Sequence, residues 1–165
     1  MTKNIILTHQ EIIHKTRRIA YQIYETFSDE NELVIAGISN SGFLFAQKVS
    51  EELKQISDIK ITLCEVQINK QNPAATIITS LSEKEYTNKN LVLVDDVLNS
   101  GATLIYSIRH FLNVPLKKFK TAVLIDRNHK NFPVKADFKG LSLSTSLQEH
   151  VQVVFEENNS YVYLS

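Results

Sequence analysis

Apolar residues along this chain keep two different rhythms, and the rhythm changes several times. Aliphatic runs at 33–38 and 91–94 read as strands buried on both faces, the pattern of a parallel sheet, and 119–125 reads as another buried strand. Helical spacing lies around them. Thr8, His9, Gln10 and Glu11 match a capping box, and Ile12, Ile13, Ile19, Ala20, Ile23, Tyr24 and Phe27 follow at helical intervals, predicting a helix over 9–27. Phe43, Leu44, Ala46, Gln47, Val49 and Leu53 carry a second helix, and Leu104, Ile105, Ile108, Phe111 and Leu112 a third. Residues 59–68 alternate as a strand does. The stretch 69–73 breaks that strand and 74–80 is extended again, which predicts a hairpin or flap. Short apolar runs at 141–143, 151–155 and 161–164 suit a small subdomain over the sheet edge. Strands alternating with helices predict an α/β fold, an open and mostly parallel sheet flanked by helices with right-handed crossovers.

Composition narrows the class. At 165 residues, with 43% hydrophobic and 22% charged positions, the chain reads as one globular domain over 1–165. Its formal net charge is zero, so no global field favours nucleic acid or a membrane. The charge is unevenly spread, however. Segment 109–140 holds Arg109, Lys117, Lys118, Lys120, Arg127, Lys130, Lys135 and Lys139 against Asp126 and Asp137, so a basic belt is one expectation and an ordinary solvated face the commoner one. The single cysteine, Cys64, excludes an internal disulfide and sits in an apolar run, which predicts a buried structural thiol. No signal-peptide core or membrane-length apolar run is present, so a cytoplasmic protein is expected.

The chemistry concentrates where the 91–94 run ends. Asp95 and Asp96 stand at its end, Val97 and Leu98 follow, and Asn99, Ser100, Gly101, Ala102 and Thr103 lead into the third helix. Free N–H groups at a helix start, its positive dipole end and the Ser100 and Thr103 hydroxyls can surround a phosphate dianion. The two carboxylates can accept hydrogen bonds from neighbouring ribose hydroxyls or help to hold Mg²⁺. An ordinary turn whose acids merely cap the helix accounts less well for this order. Ser39, Asn40, Ser41 and Gly42 repeat the grammar after the 33–38 strand, so two phosphate-type loops on neighbouring strands could hold the two ends of one ligand. Lys70, at the tip of the expected flap, is either a lid cation for that ligand or a solvated loop lysine.

The order of residues 91–103 resembles the phosphoribosyl pyrophosphate (PRPP) signature of the type I phosphoribosyltransferases. Two further stretches, 123–130 and 132–140, resemble the PyrR branch of that family, which carries a run close to LVDRGHRELPIRADFVG; Leu143, Ser144, Thr145 and Ser146 resemble its NIPTS. That branch comprises pyrimidine-operon attenuators that are also uracil phosphoribosyltransferases. The resemblance implies a type I phosphoribosyltransferase fold with a hood subdomain and a flexible hairpin. It implies that Asp95 and Asp96 bind the ribose hydroxyls of PRPP with Mg²⁺ nearby, and that Asn99 to Thr103, following Val97 and Leu98, form the 5′-phosphate loop. Ser39, Asn40, Ser41 and Gly42 would form the pyrophosphate loop, where the family often places a non-proline cis peptide. Asp126 and Arg127 would lie near the base, with Asp137 shaping that pocket.

Three departures bear on chemistry. The pyrophosphate loop has Asn40 and Ser41 where PyrR proteins usually carry an arginine, and the phosphate loop reads Ser-Gly-Ala-Thr in place of TGRT. Several purine-using relatives place an aspartate where Asn99 stands, and an amide cannot take a proton in that role. Two fewer cations should weaken stabilisation of departing pyrophosphate. The implied reaction transfers ribose 5-phosphate from PRPP to a nucleobase nitrogen, with Asp95, Asp96 and Asn99 at the reacting end and uracil first among acceptors. The alternatives are a purine phosphoribosyltransferase and a regulator that binds PRPP or a nucleoside monophosphate and an RNA hairpin. A homodimer follows from the family pattern.

Overall fold

In a computed structural model describing residues 2–146 and 148–165, six strands form one sheet in the order β4-β3-β2-β5-β6-β7. They are β2 (Glu32–Ile38), β3 (Lys60–Gln67), β4 (Ile78–Thr79), β5 (Asn90–Leu98), β6 (Lys118–Asp126) and β7 (Phe138–Ser142). All pairings are parallel except β3 with β4. The continuous aliphatic runs explain why. Alternate residues of a strand face opposite ways, and both faces of this sheet are covered. Val92, Val94 and Leu124 pack with the helices α1 (His9–Thr26) and α2 (Ser41–Ile56). Leu91, Leu93 and Val123 pack with Tyr86 of α3 (Glu83–Tyr86) and with Leu104 and Phe111 of α4 (Ala102–Phe111).

The capping box forms as read. Thr8 N–H donates to Glu11 Oε2 at 2.8 Å, and Glu11 N–H donates to Thr8 Oγ1 at 3.3 Å. The stripe of Ile12, Ile19, Ala20 and Ile23 is buried behind it. Cys64 is buried and unpaired, and burial pushes its thiol pKa up.

The strand order reverses between β2 and β5: β2 leads through α2 to β3 on one side, and β5 leads through α4 to β6 on the other. A crevice forms outside the carboxyl ends of strands at such a switch point, and ligands of open α/β sheets bind there.

Two expectations need correction. The run at 141–143 does not join the small subdomain; its first residues belong to β7, the sixth strand of the central sheet, parallel to β6. Gly140 permits this, because a Cβ there would lie 2.5 Å from the Leu124 carbonyl oxygen. The small antiparallel sheet is instead β1-β9-β8, built from β1 (Asn4–Leu7), β8 (Val151–Val154) and β9 (Tyr161–Leu164). The N-terminal strand is not legible in the sequence because only Leu7 of its four residues is fully buried. The loop boundaries also move: Ser41 and Gly42 already belong to α2, and Ala102 and Thr103 to α4.

Candidate active site

The two loops meet at the switch point. Gly42, in the first turn of α2, lies so close to β5 that a Cβ would come within 2.6 Å of Asp95 Oδ1 and 3.3 Å of the Val94 carbonyl oxygen. Neither helix start carries a side-chain cap from its N-cap residue, in contrast to the boxed start of α1. Asn40, the N-cap of α2, makes no side-chain cap bond, and the N-cap of α4 is Gly101, at φ 89°, a backbone glycine adopts without strain. First-turn N–H groups have no intrahelical acceptor. In α4, Ala102 N–H is taken by Ser100 Oγ at 3.2 Å. Two helix N-termini therefore open on one crevice, which suits a ligand with anionic groups at both ends. The Ser39–Asn40 peptide bond is cis, as the resemblance implied for this loop.

Lys70, Asp95, Val97, Leu98, Asn99, Ser100, Gly101, Thr103, Leu104 and Val123 line a small cleft. Asp95 and Asp96 part company there. Neighbouring side chains on a strand point to opposite faces, and only Asp95 lines the cleft, while Asp96 is half-buried outside its lining. Asp95 is nearly enclosed, with 5% of its side chain exposed, and its Oδ1 accepts Asp96 N–H at 2.9 Å. Burial, then the neighbouring Asp96, hold its pKa well above the usual carboxylate range, and Lys70 opposes them. Lys70 Nζ stands 3.8 Å from Asp95 Oδ1, so the flap lysine reaches the site while its side chain stays half exposed.

The residues expected near the base divide. Asp126, at the carboxyl end of β6, is buried and flanked by Lys130 Nζ at 3.5 Å and Lys139 Nζ at 3.6 Å, and it accepts Asn128 N–H at 3.0 Å. Arg127 is buried, and its guanidinium bonds protein groups: Asn99 Oδ1 at 3.0 Å, Thr145 Oγ1 at 2.9 and 3.1 Å, and the carbonyls of Ser146 at 3.3 Å and Glu149 at 2.6 Å. His129 adds a bond to the Thr145 carbonyl. Asp137 is not brought to this end. Its carboxylate accepts Thr121 N–H at 2.9 Å, level with a residue five positions before Asp126, so it lies ~16 Å below the strand end at ~3.3 Å per residue. It braces the entry to β7.

Reading from sequence missed Glu65. Its Oε1 accepts the Ser39 hydroxyl at 2.7 Å, and its own N–H donates to Ser80 Oγ at 2.8 Å, tying the Ser39 loop to the flap. An acid inside an otherwise apolar alternating run was the signal available for it.

A family model for the phosphoribosyl transferase domain matches residues 3–157. The chain belongs to the phosphoribosyltransferase family. Within it, the chain falls in the PyrR branch. The "Bifunctional protein PyrR" of Macrococcus caseolyticus is 30% identical over 99% of each chain, and that of Streptococcus agalactiae is 31% identical over 87% of this chain and 85% of its own. Solved structures agree on the fold. The hypoxanthine phosphoribosyltransferase of Trypanosoma cruzi superposes with a TM-score of 0.80 at 17% identity, covering 96% of this chain and 95% of its own. A hypoxanthine-guanine phosphoribosyltransferase of Bacillus anthracis gives 0.72 at 21% identity, covering 86% and 83%.

Proposed function

We propose that this phosphoribosyltransferase transfers ribose 5-phosphate from PRPP to uracil and releases pyrophosphate. The observation that carries the reading is the meeting of the two uncapped helix starts against Asp95 at the switch point. In this reading the α4 start with Ser100 and Thr103 takes the 5′-phosphate, and the α2 start with Ser39 takes the pyrophosphate. Asp95 accepts from the ribose hydroxyls, and Asp96 acts from the neighbouring face. Uracil as acceptor is supported by the PyrR relationship; the purine enzymes among the solved structures share the fold at 21% identity or less.

The donor chemistry fits Mg²⁺. Asp95 and Asp96 offer hard carboxylate oxygens, and a cation would relieve the cost of keeping Asp95 charged in an enclosed site. Among the described residues no group of three acidic, histidine or cysteine side chains could hold a metal, so PRPP oxygens would complete the shell. When bound, Mg²⁺ supplies Lewis-acid neutralisation of the leaving pyrophosphate. The chain itself positions both partners, brings Lys70 over the site, and aims fixed dipoles at the charge that develops.

The second reading is an RNA-binding regulator, supported by the word "Bifunctional" in the names of the PyrR relatives. The basic segment lends it little. Lys117 pairs with Glu30, Lys130 and Lys139 with Asp126, and Arg127 is buried. We further propose a homodimer and a cytoplasmic location, on the family pattern. No helix among the described residues is long and apolar enough to cross a membrane. The deciding experiment measures pyrophosphate release from PRPP and Mg²⁺ with uracil, hypoxanthine, guanine, adenine and orotate offered singly. Release with uracil alone is expected; release with a purine alone reassigns the acceptor, and silence with every base in folded protein sinks the catalytic reading.

A further inference from the structure

Arg127 and Asn99 form a pair whose chemistry has only one orientation. A guanidinium has donors and no acceptor, so the Asn99 atom 3.0 Å from Arg127 Nη1 must be the carbonyl oxygen. The Asn99 amide cannot rotate without setting its NH₂ against those donors. Among the described residues, no protein acceptor lies within bonding distance of Asn99 Nδ2, and Asn99 lines the cleft. Arg127 is itself locked, because its remaining partners are the Thr145 hydroxyl and the carbonyls of Ser146 and Glu149.

We infer that Asn99 determines base specificity as an oriented donor, through its amide NH₂, and that Arg127 is the positioning residue that fixes this orientation. This rests on the proposed placement of PRPP and base in the same cleft. A base edge that meets Asn99 must then carry an acceptor. An exocyclic carbonyl satisfies the free NH₂, whereas an exocyclic amino group sets donor against donor and leaves both unsatisfied. That mismatch is the kind a polar site rejects, because a group covered by the bound base loses solvent and gains nothing. Asn99 also takes no proton from the incoming base.

Nucleoside monophosphates test this with the ribose 5-phosphate held constant. UMP and CMP differ in the pyrimidine at a carbonyl against an amino group, and IMP and AMP differ in the same way in the purine. Calorimetric titration of the whole chain should show the carbonyl member of at least one pair bound about tenfold more tightly. Asn99→Asp keeps the size and one oxygen for Arg127 but offers lone pairs in place of the NH₂. It should erase or invert that ratio, which is read within each pair of monophosphates and so does not depend on any common change in affinity. Asn99→Ala should bring the ratio close to one. Arg127→Lys, which frees the amide to turn, should reduce the ratio without reversing it, a change that loosened folding alone would not produce. Equal binding within both pairs by the natural chain overturns the inference, as does an unchanged ratio in folded Asn99→Asp that still binds PRPP. Failure of the natural chain to bind PRPP overturns the underlying placement instead.

Discussion

Lys70 and Asp95 face each other across the cleft at 3.8 Å, the lysine half exposed and the carboxylate almost wholly enclosed. The pair joins two elements, the flap after β3 and the end of β5. Half-exposed pairs of this kind contribute little to stability, about 0.5 kcal/mol. Lys70→Gln should therefore leave the urea midpoint almost unchanged. It should slow pyrophosphate release about tenfold or more, because the cation is fixed where the leaving group gathers charge. An unaltered turnover number would return Lys70 to the role of a loop lysine.

Asp95 makes stability depend on pH in an unusual direction. Its folded pKa is raised, with burial the largest cause, so between the ordinary carboxylate range and that raised value the folded state binds more protons than the unfolded one. Stability must fall as pH rises through that window. Carboxyls with lowered values, Glu11, Glu30 and Glu149, push the other way at the acid end, so the comparison is made between variants. Asp95→Asn should flatten the decline and be the more stable protein at pH 7 in denaturant melts from pH 4 to 8. Combined with Asp96→Asn, it should abolish PRPP binding with the fold intact. Normal PRPP affinity in that double variant would show that the ribose lies elsewhere.

Gly42 tolerates no side chain. A methyl group on its α-carbon would stand 2.6 Å from Asp95 Oδ1 and 3.1 Å from the Asp95 Cα, so the backbone of α2 or β5 would have to move. Gly42→Ala should cost about 1–3 kcal/mol in denaturant titrations and weaken PRPP binding more than tenfold, since this contact seats the start of α2 against Asp95 in the proposed site.

Asp137 offers the opposite dissociation. Removing its charge with Asp137→Asn should lower stability by about 1 kcal/mol through the weakened bonds to Thr121. The base preference and the KM for PRPP should stay where they were. A shifted base preference would place Asp137 in communication with the pocket despite its distance.

What could be read in advance follows burial. β2, β5 and β6 announce themselves because both faces are covered and every residue of the run must be apolar. α1 announces itself through Thr8 and Glu11. β7 escapes such reading because its pattern, Phe138 and Gly140 buried with Lys139 exposed between, is too short to separate from the tail strands. The acids are located by their order in the chain, and strand alternation divides them, but which of the two faces the cleft depends on where the neighbouring loops and helices lie. Arg127 is placed by resemblance alone; its partners are Asn99, 28 positions earlier, and groups 18 to 22 positions later in an irregular stretch, and no local pattern encodes them.

The small sheet imposes an order of events on synthesis. Asn4 pairs with Leu164, 160 positions later, so β1 leaves the ribosome well before its partner and is among the last of these strands to find its place. Every strand of the central sheet ends by Ser142, so its ladder can pair while β1 still waits, and Leu7 and Val162 complete its core afterwards. Until β9 arrives, β1 trails as an unpaired edge on a nearly finished fold, open to a holdase or to the same strand of a neighbouring chain.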